Sequence, residues 1–94
     1  MKLELIAFTQ RGNALAEQLA KTLSDHGHQA ACTRGGLKAE AWAERAFSRS
    51  DGLIFVGAAG IAVRSIAPHL RHKSTDPAVV VVDEGGQFVI PILS

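Results

Sequence analysis

The sequence predicts an α/β fold: a three-layer, Rossmann-like or flavodoxin-like sandwich around a mostly parallel sheet of about five strands. Short apolar runs alternate along the chain with segments whose apolar residues recur at helical spacing. The apolar runs are rich in Val, Ile and Leu and lack a polar face, which is typical of parallel strands covered on both sides. Because 94 residues are a usual size for one domain, we expect a single α/β domain over residues 1–94.

The first half of the chain predicts two strands and two helices. Leu15, Leu19 and Leu23 recur at helical spacing, and Gly27 follows them where a helix commonly ends. The expected elements are a strand from Leu3 to Phe8, a helix from Asn13 to His26, a short strand from His28 to Cys32 and a helix from Leu37 to Phe47.

The second half predicts three strands and one helix. The run from Val79 to Val82 has no polar face, so we expect a buried strand in the middle of the sheet. Glu84, Gly85 and Gly86 suit a tight turn, which makes the last two strands an antiparallel pair at the edge. The expected elements are a strand from Leu53 to Val56, a helix from Ile61 to Leu70, and strands from Ala78 to Val82 and from Gln87 to Ile90.

Composition and charge exclude several classes of protein. Ten Lys and Arg against nine Asp and Glu give a net charge of +1 without a basic stripe, so we expect no nucleic-acid partner. The apolar runs are far shorter than the roughly 18 residues that span a bilayer, and the first one is too short for a signal sequence. We therefore expect a cytoplasmic protein without a membrane partner. The single cysteine, Cys32, excludes an intramolecular disulfide and is predicted to be a small buried apolar residue.

The loop from Gly57 to Gly60 is the first candidate binding site. It follows an apolar strand and opens a helix, and the unpaired N–H groups of a helix N-terminus attract anions. Gly57, Ala58, Ala59 and Gly60 are therefore candidate substrate-binding residues, with the cation of Arg64 close behind them. The alternative is a tight turn that needs glycine for its backbone conformation and close packing. The loop lacks Gly-Lys-Ser/Thr and a third glycine, which disfavours nucleoside triphosphates and dinucleotides.

The loop from Thr9 to Asn13 is the second candidate, with Thr9 and Arg11 as substrate-binding residues. Ligands of open α/β sheets bind beyond the carboxyl ends of the strands, so both loops are expected at one rim. Each loop brings an arginine, whose guanidinium pairs bidentately with carboxylates, and the pair predicts an anionic ligand. The alternative is that Thr9 or Asn13 only caps the first helix.

Asp83 is the candidate catalytic residue, because it stands at the carboxyl end of the valine strand. It is predicted to be a polar ligand or an acid–base group, and the alternative is that it caps the following turn. His69 and His72 are spaced so that they could share a metal ion, but no third ligand is near them, and no metal site is predicted. The basic run around them is expected to complement the dipole at a helix C-terminus.

The segment FVGAAGIAVRSIAPHLRHKSTDPAVVVVDEGGQFVIPILS carries a family resemblance. It contains a G-A-x-G-I-A-V-R loop, an I-A-P-x-L helix, a T-D-P-A-V-V-V-V-D strand and a V-I-P-x-L-S strand. These motifs resemble the N-terminal part of the cobalt-precorrin-5A hydrolase family, the CbiG proteins of the anaerobic cobalamin pathway. The matching ranges are Gly57 to Arg64, Ile66 to Leu70, Thr75 to Asp83 and Val89 to Ser94.

The resemblance implies a reaction and a substrate. Members of the family hydrolyse the ring A δ-lactone of cobalt-precorrin-5A, release the two-carbon fragment as acetaldehyde and form cobalt-precorrin-5B. The substrate would be an anionic tetrapyrrole that carries its own cobalt, so no cofactor is expected. N–H groups of the Gly57 to Gly60 loop would stabilise the oxyanion, and Asp83 or a histidine would position water.

In the family, the V-I-P-x-L-S strand leads into a G-H-x-G-G-A-N loop and a further C-terminal domain, and residues 1–94 include neither. We therefore expect an N-terminal fragment, a truncated form or a split subunit that is a poor hydrolase alone. A homodimer or a partner C-terminal domain would complete it. The alternative is a non-catalytic module that binds a tetrapyrrole or another anionic small molecule and needs a partner chain. A flavodoxin-like or phosphosugar-binding domain is disfavoured because a Ser/Thr-rich phosphate loop is missing.

Overall fold

The computed structural model describes residues 1–33 and 38–93. Within these ranges, no helix is long and apolar enough to cross a membrane. The elements are β1 (Lys2–Ala7), α1 (Gln10–Asp25), β2 (Gln29–Thr33), α2 (Ala39–Arg49), β3 (Gly52–Val56), α3 (Ala59–Ile66), β4 (Ala78–Val82) and β5 (Val89–Leu93). A 3₁₀ turn at Ala67–His69 follows α3 directly.

The strands form one sheet in the order β2-β1-β3-β4-β5. The first four strands are parallel, and β5 runs antiparallel to β4 at the edge. The chain starts at β1, steps to one side to make β2, and then crosses to β3 on the other side of β1. The strand order therefore reverses between β1 and β3, which is where doubly wound sheets bind ligands. The predicted α/β sandwich with a mostly parallel five-stranded sheet is confirmed.

Helices cover the sheet in two layers. On one face, α1 places Ala16 over Leu5, Ala7 and Val56. On the other face, α2 and α3 pack over a second cluster, in which the Trp42 ring meets the Phe55 ring edge-on with their centroids 5.1 Å apart. The central strands have apolar side chains on both sides because both of their faces are covered.

The valine run lies inside the sheet, as predicted. Val79 and Val81 point into the cluster under α2 and α3 and are fully buried or nearly so. Val82 is also buried, whereas Val80 is half-buried on the α1 face. The run therefore forms β4, with β3 on one side and β5 on the other.

The start of α1 differs from the prediction. The helix begins at Gln10 rather than Asn13, because Thr9 has an extended backbone and its Oγ1 accepts a hydrogen bond from the Gly12 N–H at 2.9 Å. Of the two predicted caps, Thr9 is right and Asn13 is wrong. The helix ends at Asp25, one residue before the predicted end, and Gly27 follows with a φ of +89°.

The predicted helix from Ile61 to Leu70 is shifted and divided. It begins at Ala59, since Ala58 takes the extended conformation of a cap, and it ends as an α-helix at Ile66. The chain then continues as a 3₁₀ turn through His69. Pro68 explains the division, because its nitrogen has no hydrogen to donate to the helical ladder.

The other bounds shift by a residue or two, as helix and strand ends commonly do. The strand predicted from Leu3 to Phe8 is Lys2–Ala7, the one predicted from His28 to Cys32 is Gln29–Thr33, and β3 gains Gly52. α2 runs on to Arg49, and its predicted start at Leu37 lies outside the described residues.

The last strand begins at Val89, two residues later than the predicted start at Gln87. The backbone N–H groups of Gln87 and Phe88 donate to the Asp83 carboxylate at 2.9 and 2.6 Å. These bonds hold both residues in the turn, so they do not pair with β4. The strand then extends to Leu93, opposite Val79.

Candidate functional site

Three loops meet at the carboxyl end of the sheet, and we call them the rim. They comprise residues 8–12, which join β1 to α1 and include the first residues of that helix, residues 57–60, which join β3 to α3 in the same way, and residues 83–88 between β4 and β5. The Gly57 N–H donates to the Val82 carbonyl at 2.9 Å, which ties the second loop to the end of β4. The first two loops flank the reversal of strand order between β1 and β3, so the rim occupies the usual ligand position of this topology.

Gly12 brings the first turn of α1 into close contact with the sheet. A Cβ at this position would lie 3.3 Å from the Ala7 Cβ and 3.1 Å from the Thr9 Oγ1. The Val56 carbonyl oxygen of β3 would be only 3.5 Å away. A larger residue would push the helix away from the crevice, so Gly12 sets the depth of the rim.

Gly57 joins the first loop to the second. Its φ of +152° favours glycine, and a Cβ there would lie 3.5 Å from the Phe8 ring. Its N–H already has an acceptor in Val82, so this group is not a donor for a ligand. The conformation and packing of Gly57 therefore support the alternative given above, in which the glycine is needed for the turn and not for binding a ligand.

The first turn of α3 brings the backbone of Ala58, Ala59 and Gly60 to the rim, while the Ala59 side chain packs against the cluster under α2 and α3. Ala58 occupies the cap position but makes no side-chain hydrogen bond there, so the first N–H groups of α3 receive no acceptor from the cap side chain. Ala58 and Gly60 are exposed, and a Cβ at Gly60 would meet no atom within 4 Å. This turn is open and offers N–H donors together with the positive end of the helix dipole.

Arg11 reaches across the rim to the turn between β4 and β5. Its Nη2 would lie 3.3 Å from a Cβ added to Gly85, and the Asp83 Oδ2 would lie 3.1 Å from the same point. Leu15, one turn further along α1, packs at 3.6 Å from the corresponding position of Gly86. The structure therefore brings Arg11 and Asp83, which are far apart in sequence, to the same turn, whereas Thr9 lies two residues before Arg11 at the start of α1.

Asp83 organises the turn that follows it. Its carboxylate accepts backbone hydrogen bonds from Gly85 at 3.2 Å, from Gln87 at 2.9 Å and from Phe88 at 2.6 Å. The bond from Phe88 is the main cause that holds the pKa of Asp83 below its ordinary value, and the bonds from Gln87 and Gly85 act in the same direction. Such a carboxylate stays ionised and is a weak base. The geometry fits the predicted capping alternative, and a catalytic role for Asp83 stays a prediction.

A groove of about 510 Å³ runs from the first loop along the start of α1. Polar side chains make up most of its wall, so it suits a hydrated ligand rather than a purely apolar one. The groove places Thr9 beside the exposed side of α1, although the Oγ1 of Thr9 already accepts the capping bond. Its lining residues are Phe8, Thr9, Gln10, Asn13, Ala14 and Glu17.

Arg64 lies at the margin of the rim. It belongs to the last turn of α3 and is exposed. Being four residues after Gly60, it lies on the same face of the helix, one turn further from the sheet edge. Helical side chains lean towards the N-terminus, which is the direction an arginine needs to meet a ligand held at Gly60.

The other candidates lie away from the rim. His69 stacks near Phe47 with ring centroids 6.1 Å apart, and the His72 Nδ1 is 2.6 Å from the Ser74 Oγ. In the ranges 1–33 and 38–93, no group of three His, Cys, Asp or Glu side chains could hold a metal ion. The thiol of Cys32 donates to the Ala16 carbonyl at 3.2 Å, and burial raises its pKa, as suits a packed cysteine.

Phe8 was not identified from the sequence as a residue of the rim, and Gly12 and Gly85 were predicted only as members of their loops, without a role of their own. For Gly12 the signal was present, because a glycine three residues after a strand-to-helix cap allows close packing of the helix on the sheet. Phe8 and Gly85 act through contacts with other loops. Those contacts depend on the tertiary fold and leave no local pattern in the chain.

Comparison with known proteins identifies the family. The model of a protein family described as "Cobalamin synthesis G N-terminal" matches residues 41–94, more than half of the chain. The chain belongs to this family. The match starts within α2 and contains the second and third loops of the rim, together with β3, α3, β4 and β5.

Two curated relatives of this cobalamin synthesis G family member are named cobalt-precorrin-5A hydrolase. The protein from Salmonella typhimurium is 58% identical over 52 residues, which are 55% of this chain and 15% of the relative. The protein from Priestia megaterium is 52% identical over 48 residues, which are 51% of this chain and 13% of the relative. The matched segments thus cover only a small part of the length of these relatives.

A solved structure shares the fold of the whole domain. It is described as a cobalamin biosynthesis protein G homolog from Sulfolobus solfataricus and superposes with a TM-score of 0.86 at 24% sequence identity. The superposition covers 98% of this chain and 29% of that chain. The strand order and the layers described above are therefore those of a known structure.

Proposed function

We propose that this chain is the N-terminal substrate-binding part of a cobalt-precorrin-5A hydrolase of anaerobic cobalamin biosynthesis. The reaction would open the ring A lactone of cobalt-precorrin-5A, release acetaldehyde and leave cobalt-precorrin-5B. Membership of the cobalamin synthesis G family and the names of two relatives support this assignment. Cobalt enters as part of the substrate.

The convergence of the rim is the observation that carries the proposal. Arg11 stands beside the β4–β5 turn, and the open first turn of α3 lies beyond the end of β3 in the same crevice. A corrinoid precursor carries several acetate and propionate groups. Guanidinium groups and helix N-termini both bind carboxylates, so the rim suits the periphery of such a substrate.

The proposed chemistry divides between this domain and the rest of a hydrolase. Hydrolysis adds water to the lactone carbonyl carbon, and the oxygen that becomes negative needs hydrogen-bond donors. The N–H groups of Ala59 and Gly60 are the proposed donors. Asp83 is proposed to hold the third loop in place and to orient water through its ionised carboxylate. Because such a carboxylate is a weak base, the group that removes a proton from water would lie elsewhere in the enzyme.

The test is a titration of the chain with cobalt-precorrin-5A, followed by the absorbance of the corrinoid. Arg11→Ala and Arg64→Ala are each expected to weaken binding by about 1.5–3 kcal/mol, the cost of a lost charge-assisted hydrogen bond, or roughly 10–150-fold. Arg45→Ala is the matched control, because this arginine is exposed on α2, away from the rim, and should bind normally. Unchanged affinity in both rim variants would remove the two arginines from the site.

A non-catalytic binding module is the second candidate, and one observation favours it. The three backbone bonds of Asp83 occupy the carboxylate that the sequence offered as an acid–base group. In that case the chain would bind the tetrapyrrole with the same dependence on Arg11 and Arg64, and Asp83→Asn would leave any acetaldehyde release by the completed enzyme unchanged.

A further inference from the structure

The last strand exposes an apolar surface at the edge of the sheet. Phe88, Val89 and Ile90 are 64%, 63% and 50% exposed, and the adjacent Pro91 is exposed as well. We call these four residues the β5 patch. The strand has the sequence VIPIL and contains no charged residue. Edge strands usually carry charges or a cover that prevents pairing with other chains, whereas β5 has a proline and an irregular register with β4 between Val79 and Val80 but no charged residue.

The sheet face beside the β5 patch also lacks a covering helix within the described residues. Val80 alternates with the buried Val79 and Val81 and therefore faces α1, yet it is only half-buried. The reason is that α1 packs over β1, β2 and β3. Val89 and Pro91 lie opposite Val82 and Val80, so they extend the same uncovered face. Sheets of this class are normally covered on both faces, and this face suits an apolar helix or strand.

We propose that the β5 patch and the adjoining face of β4 are the docking surface for the remaining polypeptide of a cobalt-precorrin-5A hydrolase. The lengths of the relatives identify the occupant. The segments matched here make up 15% and 13% of two relatives, and the whole domain covers 29% of the solved one. Most of each relative therefore lies outside this fold. Val89 and Pro91 are exposed on this uncovered face, Ile90 is exposed on the opposite side beside Val81, and Phe88 precedes them at the turn, so both sides of the strand edge would gain from being covered.

The docking proposal rests on family membership and on the exposed apolar residues of the β5 patch, and it does not depend on the hydrolytic reaction. The covering segment would bury the Phe88 ring and the side chains of Val89 and Pro91. A chain that binds cobalt-precorrin-5A but keeps the patch exposed would contradict the docking proposal alone. A chain that docks but does not bind the corrinoid would contradict the proposed function alone.

The experiment measures how fast a cysteine placed in the patch reacts with a maleimide. Phe88→Cys is made in a Cys32→Ser background, both in the 94-residue protein and in a hybrid that continues with the part of the Salmonella typhimurium relative following its matched segment. Docking predicts at least 10-fold slower reaction in the hybrid. Val63→Cys is the control, because Val63 is 47% exposed on α3 and should react equally fast in both proteins.

The other outcomes are decisive as well. Equal reaction rates of Phe88→Cys in the two proteins would overturn the proposal. Slow reaction in the 94-residue protein that becomes fast on dilution would show that a second copy covers the patch, which also overturns it. Phe88→Asp gives an independent readout: it should lower the melting temperature of the hybrid and leave that of the 94-residue protein unchanged. If the fusion does not fold, the remaining segment is added as a separate chain and the same rates are compared.

Discussion

At the scale of single residues, four glycines of the rim differ in what a side chain at their position would meet. Gly57 has a φ that favours glycine, and a Cβ at Gly12 would make contacts of 3.1 and 3.3 Å with Thr9 and Ala7, tighter than most Cβ contacts. Gly85 is flanked by Asp83 and Arg11, at distances that would crowd a side chain. Gly60 alone among the four has neither a positive φ nor a neighbour within 4 Å. Its missing side chain therefore leaves space at the rim that the fold itself does not use.

Gly60→Ala is expected to stabilise the protein and weaken substrate binding. An alanine inside a helix is better than glycine by about 0.5–1 kcal/mol, and no steric cost opposes this gain. The added methyl group would stand where a ligand approaches the N-terminus of α3. Urea unfolding followed by the fluorescence of the single tryptophan, Trp42, gives the stability, and the corrinoid titration gives the affinity.

Gly12→Ala is the comparison variant and should behave in the opposite way. Its Cβ would approach Ala7 and Thr9 more closely than ordinary contacts allow, so α1 has to shift. We expect a loss of about 1–3 kcal/mol, the usual cost of overpacking. Equal stability of the two alanine variants would contradict the different reasons assigned to the two glycines.

An ion pair between the buried Glu4 and the exposed Arg49 stabilises the opposite end of the sheet. The Glu4 carboxylate is 5% exposed, pairs with the Arg49 Nη2 at 2.6 Å and accepts a hydrogen bond from the Ser50 hydroxyl. The hydrogen bond from Arg49 is the main cause that lowers the pKa of Glu4 from its ordinary value of 4.5, although burial opposes it. The ionised form is therefore favoured in the folded state and links β1 to the end of α2.

Glu4→Gln is expected to reduce the stability near neutral pH and flatten its dependence on acid. A carboxyl with a lowered pKa in the folded state contributes stability above its unfolded value, and the contribution is lost as pH falls below 4.5 through the folded pKa. The cost at pH 7 should be about 1–3 kcal/mol and should shrink in acid. Glu44→Gln, at an exposed site on α2, is the control and should change little. Parallel pH profiles of wild type and Glu4→Gln would contradict this assignment.

At the scale of elements, the turn from Asp83 to Phe88 shows what local sequence could and could not reveal. The glycines predicted a tight turn between antiparallel strands, and that is observed. The carboxylate bonds to Gln87 and Phe88, which delay the start of β5, depend on loop geometry that spacing alone does not encode. The turn also receives Leu15 and Arg11 from α1, so its position is set by a helix distant in sequence.

Asp83→Ala is expected to loosen this turn. Three backbone N–H groups would lose a charged acceptor, and the melting temperature should fall only slightly because the site is exposed to water. Amide hydrogen exchange should accelerate at Gln87 and Phe88 while β3 stays protected. Asp83→Asn keeps an oxygen acceptor and should lose less. Unchanged exchange in the alanine variant would show that the turn is held by other contacts.

Most of the sheet was predictable because four of its strands carry an apolar signal of their own, whereas β2, with the sequence QAACT, is only weakly signalled. β4 needed only its valines, since a run without a polar face suits a strand covered on both sides. The start of α1 was missed because Thr9 and Asn13 are both good caps, and only the fold shows that Gly12 has to lie inside the helix. The division of α3 was foreseeable from Pro68, whose missing N–H stops the ladder.

At the scale of the whole molecule, the rim and the β5 patch adjoin, because the turn between β4 and β5 leads directly into the patch. The turn from Asp83 to Phe88 belongs to the rim, and the patch begins at Phe88. A polypeptide that covers the patch would therefore stand next to Asp83 and Arg11. The two proposals then fit together, because the segment that docks on β5 is well placed to supply a base to a substrate held at the rim.

The chain alone is therefore expected to be a poor hydrolase that gains activity when the rest of the enzyme is attached. Its rim supplies carboxylate-binding groups and oxyanion donors, but Asp83 is a weak base because backbone N–H groups stabilise its ionised form. Losing a positioned acid–base group typically costs about 10²–10⁴-fold in rate. Acetaldehyde release from cobalt-precorrin-5A, compared between residues 1–94 and the hybrid with the Salmonella typhimurium relative, measures the difference. Comparable turnover by the 94-residue protein would show that groups of this domain suffice, with Asp83, Thr9 and the basic run after Pro68 as the residues to substitute next.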